Sequence, residues 1–181
     1  MVNSFPGLMA HWQRLIELDS ALCLHCNRVG TWRNVERLFG IVSRLGDGVF
    51  WYTLMILLLL HRGTEALPVV GQMLITGTIG LTIYKWLKTK TTRPRPFTRN
   101  QQIRISVAPL DQYSFPSGHT LHAVGFSAVA VSHYPALGWV LLPFTLLVAL
   151  SRLVLGLHYP SDVLAGATLG VSLAVLVQSL Y

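Results

Sequence analysis

Long apolar runs separated by short charged clusters dominate the chain from residue 48 onward. The first, Gly48 to Leu60, ends at His61-Arg62-Gly63. So short a run makes only about 20 Å of helix, so this span must borrow residues before Gly48 to cross a bilayer. The second, Ala66 to Tyr84, is long enough and ends in Lys85, Lys88 and Lys90. A polar, basic, proline-bearing stretch then runs to Ser114. The third span covers Ser117 to Ser132, and the turn His133-Tyr134-Pro135 leads to the fourth, Leu137 to about Leu157. The last, Val163 to Leu180, carries Gly166 and Gly170, a small-xxx-small face suited to close helix contact. The pattern predicts an all-α integral membrane bundle of about five spans over residues 47–181.

Residues 1–46 have a different period. Arg14, Glu17, Asp19, Arg28, Arg33, Glu36, Arg37 and Arg44 break every candidate membrane window. Leu8, Trp12, Leu15, Ile16, Leu22 and Cys26 recur at helical spacing. Val35, Leu38, Phe39, Val42 and Leu45 repeat the pattern after Gly30. Two amphipathic helices in the headgroup layer are expected, with arginines toward lipid phosphate and Trp12 and Trp32 near the interface.

Composition excludes the soluble alternatives. The chain is 52% hydrophobic and 12% charged, and Gln112 to Ser151 contains no Asp, Glu, Lys or Arg. A soluble domain of this size exposes too much surface for that, and disordered chains are poor in apolar residues. The net charge of +7 would suggest nucleic acid in a soluble protein. Interleaved with membrane spans it suits anionic lipid instead, and no nucleic-acid partner is expected. Cys23 and Cys26 are too few for a disulfide framework and read as small apolar residues on a helix face. The first residues lack the basic-then-apolar order of a cleavable signal peptide.

Connectivity brings the chemistry together. Span two ends at the basic stretch and span three begins after it, so the turn between spans four and five lies on that same side. One membrane surface therefore gathers Lys88, Arg95, Ser117, His119, Arg152, His158 and Asp162. Arg152 stands in the otherwise apolar sequence Leu-Val-Ala-Leu-Ser-Arg-Leu-Val-Leu-Gly-Leu and needs an anion, a carboxylate or a ligand phosphate. His158 stands four residues before Asp162, a spacing that lets the carboxylate fix the imidazole tautomer. Phe115-Pro116-Ser117-Gly118-His119 opens span three with helix-start residues, and Gly118 allows a ligand to approach bare amides.

These residues resemble one family. Lys88-x6-Arg95-Pro96, Pro116-Ser117-Gly118-His119 and Ser151-Arg152-x5-His158-x3-Asp162 match the three motifs of the type 2 phosphatidic acid phosphatase superfamily in order and spacing. The segment 1–46 stands where six-helix members carry an extra first span. The resemblance implies a lipid phosphatase. His158 would be the nucleophile, Asp162 its orienting carboxylate, and His119 the general acid and then base. Lys88, Arg95, Arg152, Ser117 and the Gly118 amide would hold the phosphate oxygens. No metal or other cofactor is expected. Undecaprenyl diphosphate, phosphatidylglycerophosphate, phosphatidate and lipid A phosphates are the substrates it offers.

Other chemistries use the same residues. A metal site on His119, His122, His158 and Asp162 would crowd three basic residues around a cation. A lipid phosphotransferase would pass the phosphoryl group to a hydroxyl in place of water, and a non-catalytic lipid-binding protein would use only the basic cleft. Thirteen of the fourteen Lys and Arg lie before span one or on the active-site side, Arg62 being the exception, and this bias points that side to the cytoplasm. The family's bacterial members face the periplasm or exterior, and several of these cations are there for phosphate. The expectation is a bacterial inner-membrane enzyme with its site on the outer face.

Overall fold

Glycine and proline set the breaks between helices. The computed structural model describes the backbone of residues 6–180 and the side chains of residues 13–180. Helix α1 (Pro6–Val29) ends at Gly30, whose added Cβ would lie 2.8 Å from the Val154 carbonyl oxygen, and α2 (Arg33–Arg44) follows. A widened π-type turn at Leu45–Val49, with Gly48 at φ +140°, joins α2 to α3 (Phe50–Arg62). Gly63 at φ +57° closes α3, and α4 (Leu67–Thr91) opens with Pro68 in its first turn. A short turn α5 (Pro96–Arg99) begins the polar loop. Then come α6 (Gly118–His133), α7 (Gly138–Val154) and α8 (Pro160–Ser179).

Among the described residues, three helical stretches are long and apolar enough to cross a membrane: the bent run Arg33–Thr91, Pro135–Val154 and Pro160–Ser179. The run Arg33–Thr91 contains α2, α3 and α4. At 16 residues α6 is shorter, and it forms the centre of the bundle, packed on α4, α7 and α8. The core joins Trp51 and Met55 of α3, Val69 and Met73 of α4, Phe126 and Val129 of α6, and Leu141 and Val148 of α7. Trp139, Leu60, Leu164 and Val175 point outward, as lipid-facing residues do in a bundle that is apolar on both sides. Arg62 lies over the Tyr134 ring and His133 contacts Gln72, so the α3–α4 and α6–α7 turns share one end. The polar loop and the α7–α8 turn share the other.

The N-terminal helices dock on the polar end, and Trp12 and Leu8 lie outside the residues whose side chains are described. On α1, Leu15, Ile16 and Leu22 are exposed, whereas Cys23 and Asn27 are buried. Asn27 donates to the Arg104 and Val154 carbonyls and accepts from the Arg104 amide. Asp19 accepts from the Ser161 amide at 2.9 Å, capping α8 from outside. Of the apolar residues around α2, Val42 is buried, whereas Leu38 and Leu45, on the same side one turn away, are exposed.

The two glycines read as a contact face in the last span are where α8 meets α6. An added Cβ would lie 2.4 Å from the Ser117 carbonyl oxygen at Gly166 and 2.5 Å from that of Leu121 at Gly170. Gly170→Leu should therefore lower stability by about 1–3 kcal/mol or more through overpacking. Gly71→Ala, with nothing within 4 Å of its new Cβ, should be neutral or slightly stabilising. Thermal unfolding of both variants in detergent checks this, and equal shifts would contradict the close α6–α8 contact.

Candidate active site

The polar end of the bundle holds a cavity of about 270 Å³. Its polar wall comprises Lys88, Arg95, Gly118, His119, Arg152 and His158, so six of the eight residues expected at the site line one space. Asp162 lies directly behind His158. Ser117 is fully buried as the N-cap of α6, where its Oγ contacts the Thr120 hydroxyl at 3.0 Å and amide at 3.4 Å. Trp51 and Met55 of α3, and Leu74, Leu81 and Tyr84 of α4, extend the cavity along an apolar cleft between those helices.

His158 sits in the turn that ends α7. Gly156 makes the turn possible at φ +69°, with Ile103 packed so close that a Cβ would meet it at 2.5 Å. The amides of Leu157 and His158 both donate to the Arg152 carbonyl, fixing the two residues relative to each other. The His158 ring is 2% exposed. Its Nδ1 faces Asp162 Oδ2 at 3.6 Å, and its Nε2 faces the Arg95 guanidinium at 3.5 Å. Burial, then the neighbouring Arg152, Arg95 and Lys88, hold its pKa well below the usual histidine range. These surroundings disfavour the imidazolium form.

Asp162 is held on both oxygens. Oδ2 accepts from the Tyr159 amide at 2.8 Å and Oδ1 from Arg93 Nη1 at 2.7 Å. Arg93 also pairs with Asp19 at 2.6 Å and stacks over the Tyr159 ring. Neither Arg93 nor Asp19 is singled out by the sequence motifs. An arginine next to the proline of Arg93-Pro94-Arg95 was the available signal, and its partner lies 74 residues away. Cys23 donates weakly to the His158 carbonyl, and both cysteines are free.

The three cations differ in how they are satisfied. Lys88 Nζ bonds both oxygens of Asp111, and Arg95 Nη2 bonds Oδ1, at 2.6–2.7 Å. Arg152 is 3% exposed, and its Nη1 donates to the Ser43 hydroxyl of α2. Its Nε has no partner, and among the described residues it forms no ion pair. His119 Nε2 contacts the Asp47 carboxylate. His122 turns its two ring nitrogens toward the carbonyls of Gly118 and Gly77, so it ties α6 to α4. Asp47 and Asp111 were also missed in the sequence, since each stands in a segment read only as a boundary or a loop.

Fold and pocket define a membrane-embedded helix bundle with a buried, cationic centre bearing a histidine–carboxylate pair. The chain belongs to the PAP2 superfamily, whose family pattern matches residues 65–181. Undecaprenyl-diphosphatase BcrC from Bacillus subtilis is 33% identical over 102 residues, 56% of this chain and 52% of that protein. The chain thus spans about half the length of that relative. An undecaprenyl-diphosphatase from Sulfolobus acidocaldarius is 28% identical over 149 residues, 81% of this chain and 69% of that one. Among solved structures, the PAP2-type phosphatidylglycerolphosphate phosphatase of Bacillus subtilis shares the fold with TM-score 0.73 at 23% identity, covering 92% of this chain and 86% of that one.

The Asp111 pairs close the polar loop over the cations. Burial raises its carboxyl pKa, but Lys88 and Arg95 lower it further, to below the ordinary 3.8. A carboxyl lowered on folding contributes stability that is present above the ordinary value and lost as pH falls through the folded one. Asp111→Asn should reproduce that loss at neutral pH. Trypsin should then cut after the exposed Arg104 faster than in the parent protein, and equal rates would show that these pairs do not hold the loop.

Proposed function

We propose that this protein hydrolyses a membrane lipid phosphate or diphosphate through a covalent phosphohistidine. The observation that carries the reading is Arg152: a buried guanidinium without a carboxylate partner among the described residues, beside His158 and at the head of an apolar cleft. Such a group fits a ligand phosphate whose lipid chain lies between α3 and α4.

His158 Nε2 attacks phosphorus, and the bond from phosphorus to the lipid-side oxygen breaks. Asp162, 3.6 Å from Nδ1, faces the protonated side of the ring and offsets the positive charge that develops on it. His119 gives a proton to the departing oxygen. It then takes one from water, whose oxygen attacks phosphorus as the phosphorus–nitrogen bond breaks. Inorganic phosphate and neutral His158 remain. Lys88, Arg95, Arg152 and the Gly118 amide hold the equatorial oxygens, supplying charge stabilisation that a metal would otherwise give. Ser117 supports this cradle through the start of α6. The substrate phosphate takes the place of the Asp111 carboxylate on Lys88 and Arg95.

Both sequence relatives are named for undecaprenyl diphosphate, so a polyprenyl diphosphate is the first substrate to try; phosphatidylglycerophosphate, phosphatidate and a lipid A phosphate complete the panel. Purified protein should release inorganic phosphate from at least one of them in EDTA, and vanadate should inhibit it. His158→Ala should release none. Full loss on chelation restored by Mg²⁺ or Zn²⁺, or transfer to an added alcohol without phosphate release, would contradict the reading.

We assign the polar end to the outer face of a bacterial cell membrane. Ser106→Cys, in a background lacking Cys23 and Cys26, should react with an impermeant maleimide in intact cells. Labelling only after lysis would put the site in the cytoplasm.

A further inference from the structure

One carboxylate in the pocket has no part in the reaction above. Asp47 stands in Gly46-Asp47-Gly48, at the π-type turn between α2 and α3. Gly48 holds φ +140°, and a Cβ on Gly46 would lie 3.1 Å from the Val148 side chain. Both neighbours therefore suit glycine, and the kink aims Asp47 into the cavity, where its side chain is 34% exposed. A carboxylate within an apolar run is costly and is retained where it meets a partner. The partner is His119: Asp47 Oδ1 lies against His119 Nε2.

We propose that Asp47 is a positioning residue for His119, so that the pocket holds two histidine–carboxylate pairs with opposite tasks. The proposal rests on His119 acting as the acid and base. With Asp47 on Nε2, the neutral ring keeps its proton there and presents Nδ1 to substrate. When Nδ1 is protonated the ring is a cation in a pocket that already holds Lys88, Arg95 and Arg152, and the Asp47 carboxylate offsets that charge. Nδ1–H then gives its proton to the leaving oxygen, and in the second step Nδ1 receives one from water. Asp47 itself neither gives nor takes a proton. Asp162 serves the nucleophile in the same way from the other side.

The test compares leaving groups. Asp47→Asn keeps the shape and removes the charge. On a lipid alkyl phosphate its kcat should fall about 10–100-fold with KM unchanged. The first-turnover burst on p-nitrophenyl phosphate, whose leaving group needs no proton, should stay close to the parent rate. In a His119→Ala background Asp47→Asn should cost nothing further, and formate should restore part of the activity of Asp47→Ala. Equal losses on both substrates, a loss that adds to that of His119→Ala, or no rescue of Asp47→Ala by formate would overturn the role of Asp47. A parent protein that releases no phosphate from either substrate would instead overturn the proposed function, as would equal losses on both in His119→Ala alone.

Discussion

Buried positive charge is the constraint on which this bundle depends. Lys88, Arg95 and Arg152 are each at most 6% exposed at one end of an apolar helix bundle. A single such side chain costs roughly 2.5–3.5 kcal/mol at the centre of a spanning helix on insertion scales. Three together also repel one another, so carboxylates have to stand near them. Asp111 supplies two ion pairs from the polar loop, and Asp47 and Asp162 approach through the two histidines. Among the described residues Arg152 pairs with no carboxylate and donates only to a hydroxyl, at the place where the apolar cleft meets the histidines, and the proposed substrate phosphate would give it an anion.

The same constraint explains the N-terminal segment. Its polar residues serve the end of the bundle where the cations are. Asp19 caps α8 and pairs with Arg93, which in turn holds Asp162. Asn27 ties the polar loop to the end of α7, and Ser43 meets Arg152. Asp19, one of the residues that break every membrane window in the sequence, thus braces the carboxylate behind His158. Buried polar groups are retained where each has its partner, and here the partners come from helices far apart in the chain.

The sequence carried the helices well because long apolar runs have few alternatives, and the ends of α6, α7 and α8 fall within three residues of the expected boundaries. The catalytic candidates were readable because their spacing is local: Ser117 to His119 on one helix start, Arg152 to Asp162 on one turn. What stayed hidden is what no local pattern encodes. Asp47 meets His119 and Asp19 meets Arg93 only through tertiary packing, at separations of about 70 residues. The covered part of α2 was hidden for another reason: Val42 and Leu38 carry the same hydrophobic signal one turn apart on the same side of the helix, yet only Val42 is buried.

The central claim is that phosphorus bonds to His158. Its most direct test is to trap the bond in His119→Ala, where water attack should be slow, by quenching the protein with labelled p-nitrophenyl phosphate, whose leaving group needs no proton, and mapping the label by mass spectrometry. The account predicts an acid-labile, base-stable phosphoryl group on the peptide containing His158. Label on Ser117 instead, or steady phosphate release with no labelled protein at any time, would contradict it.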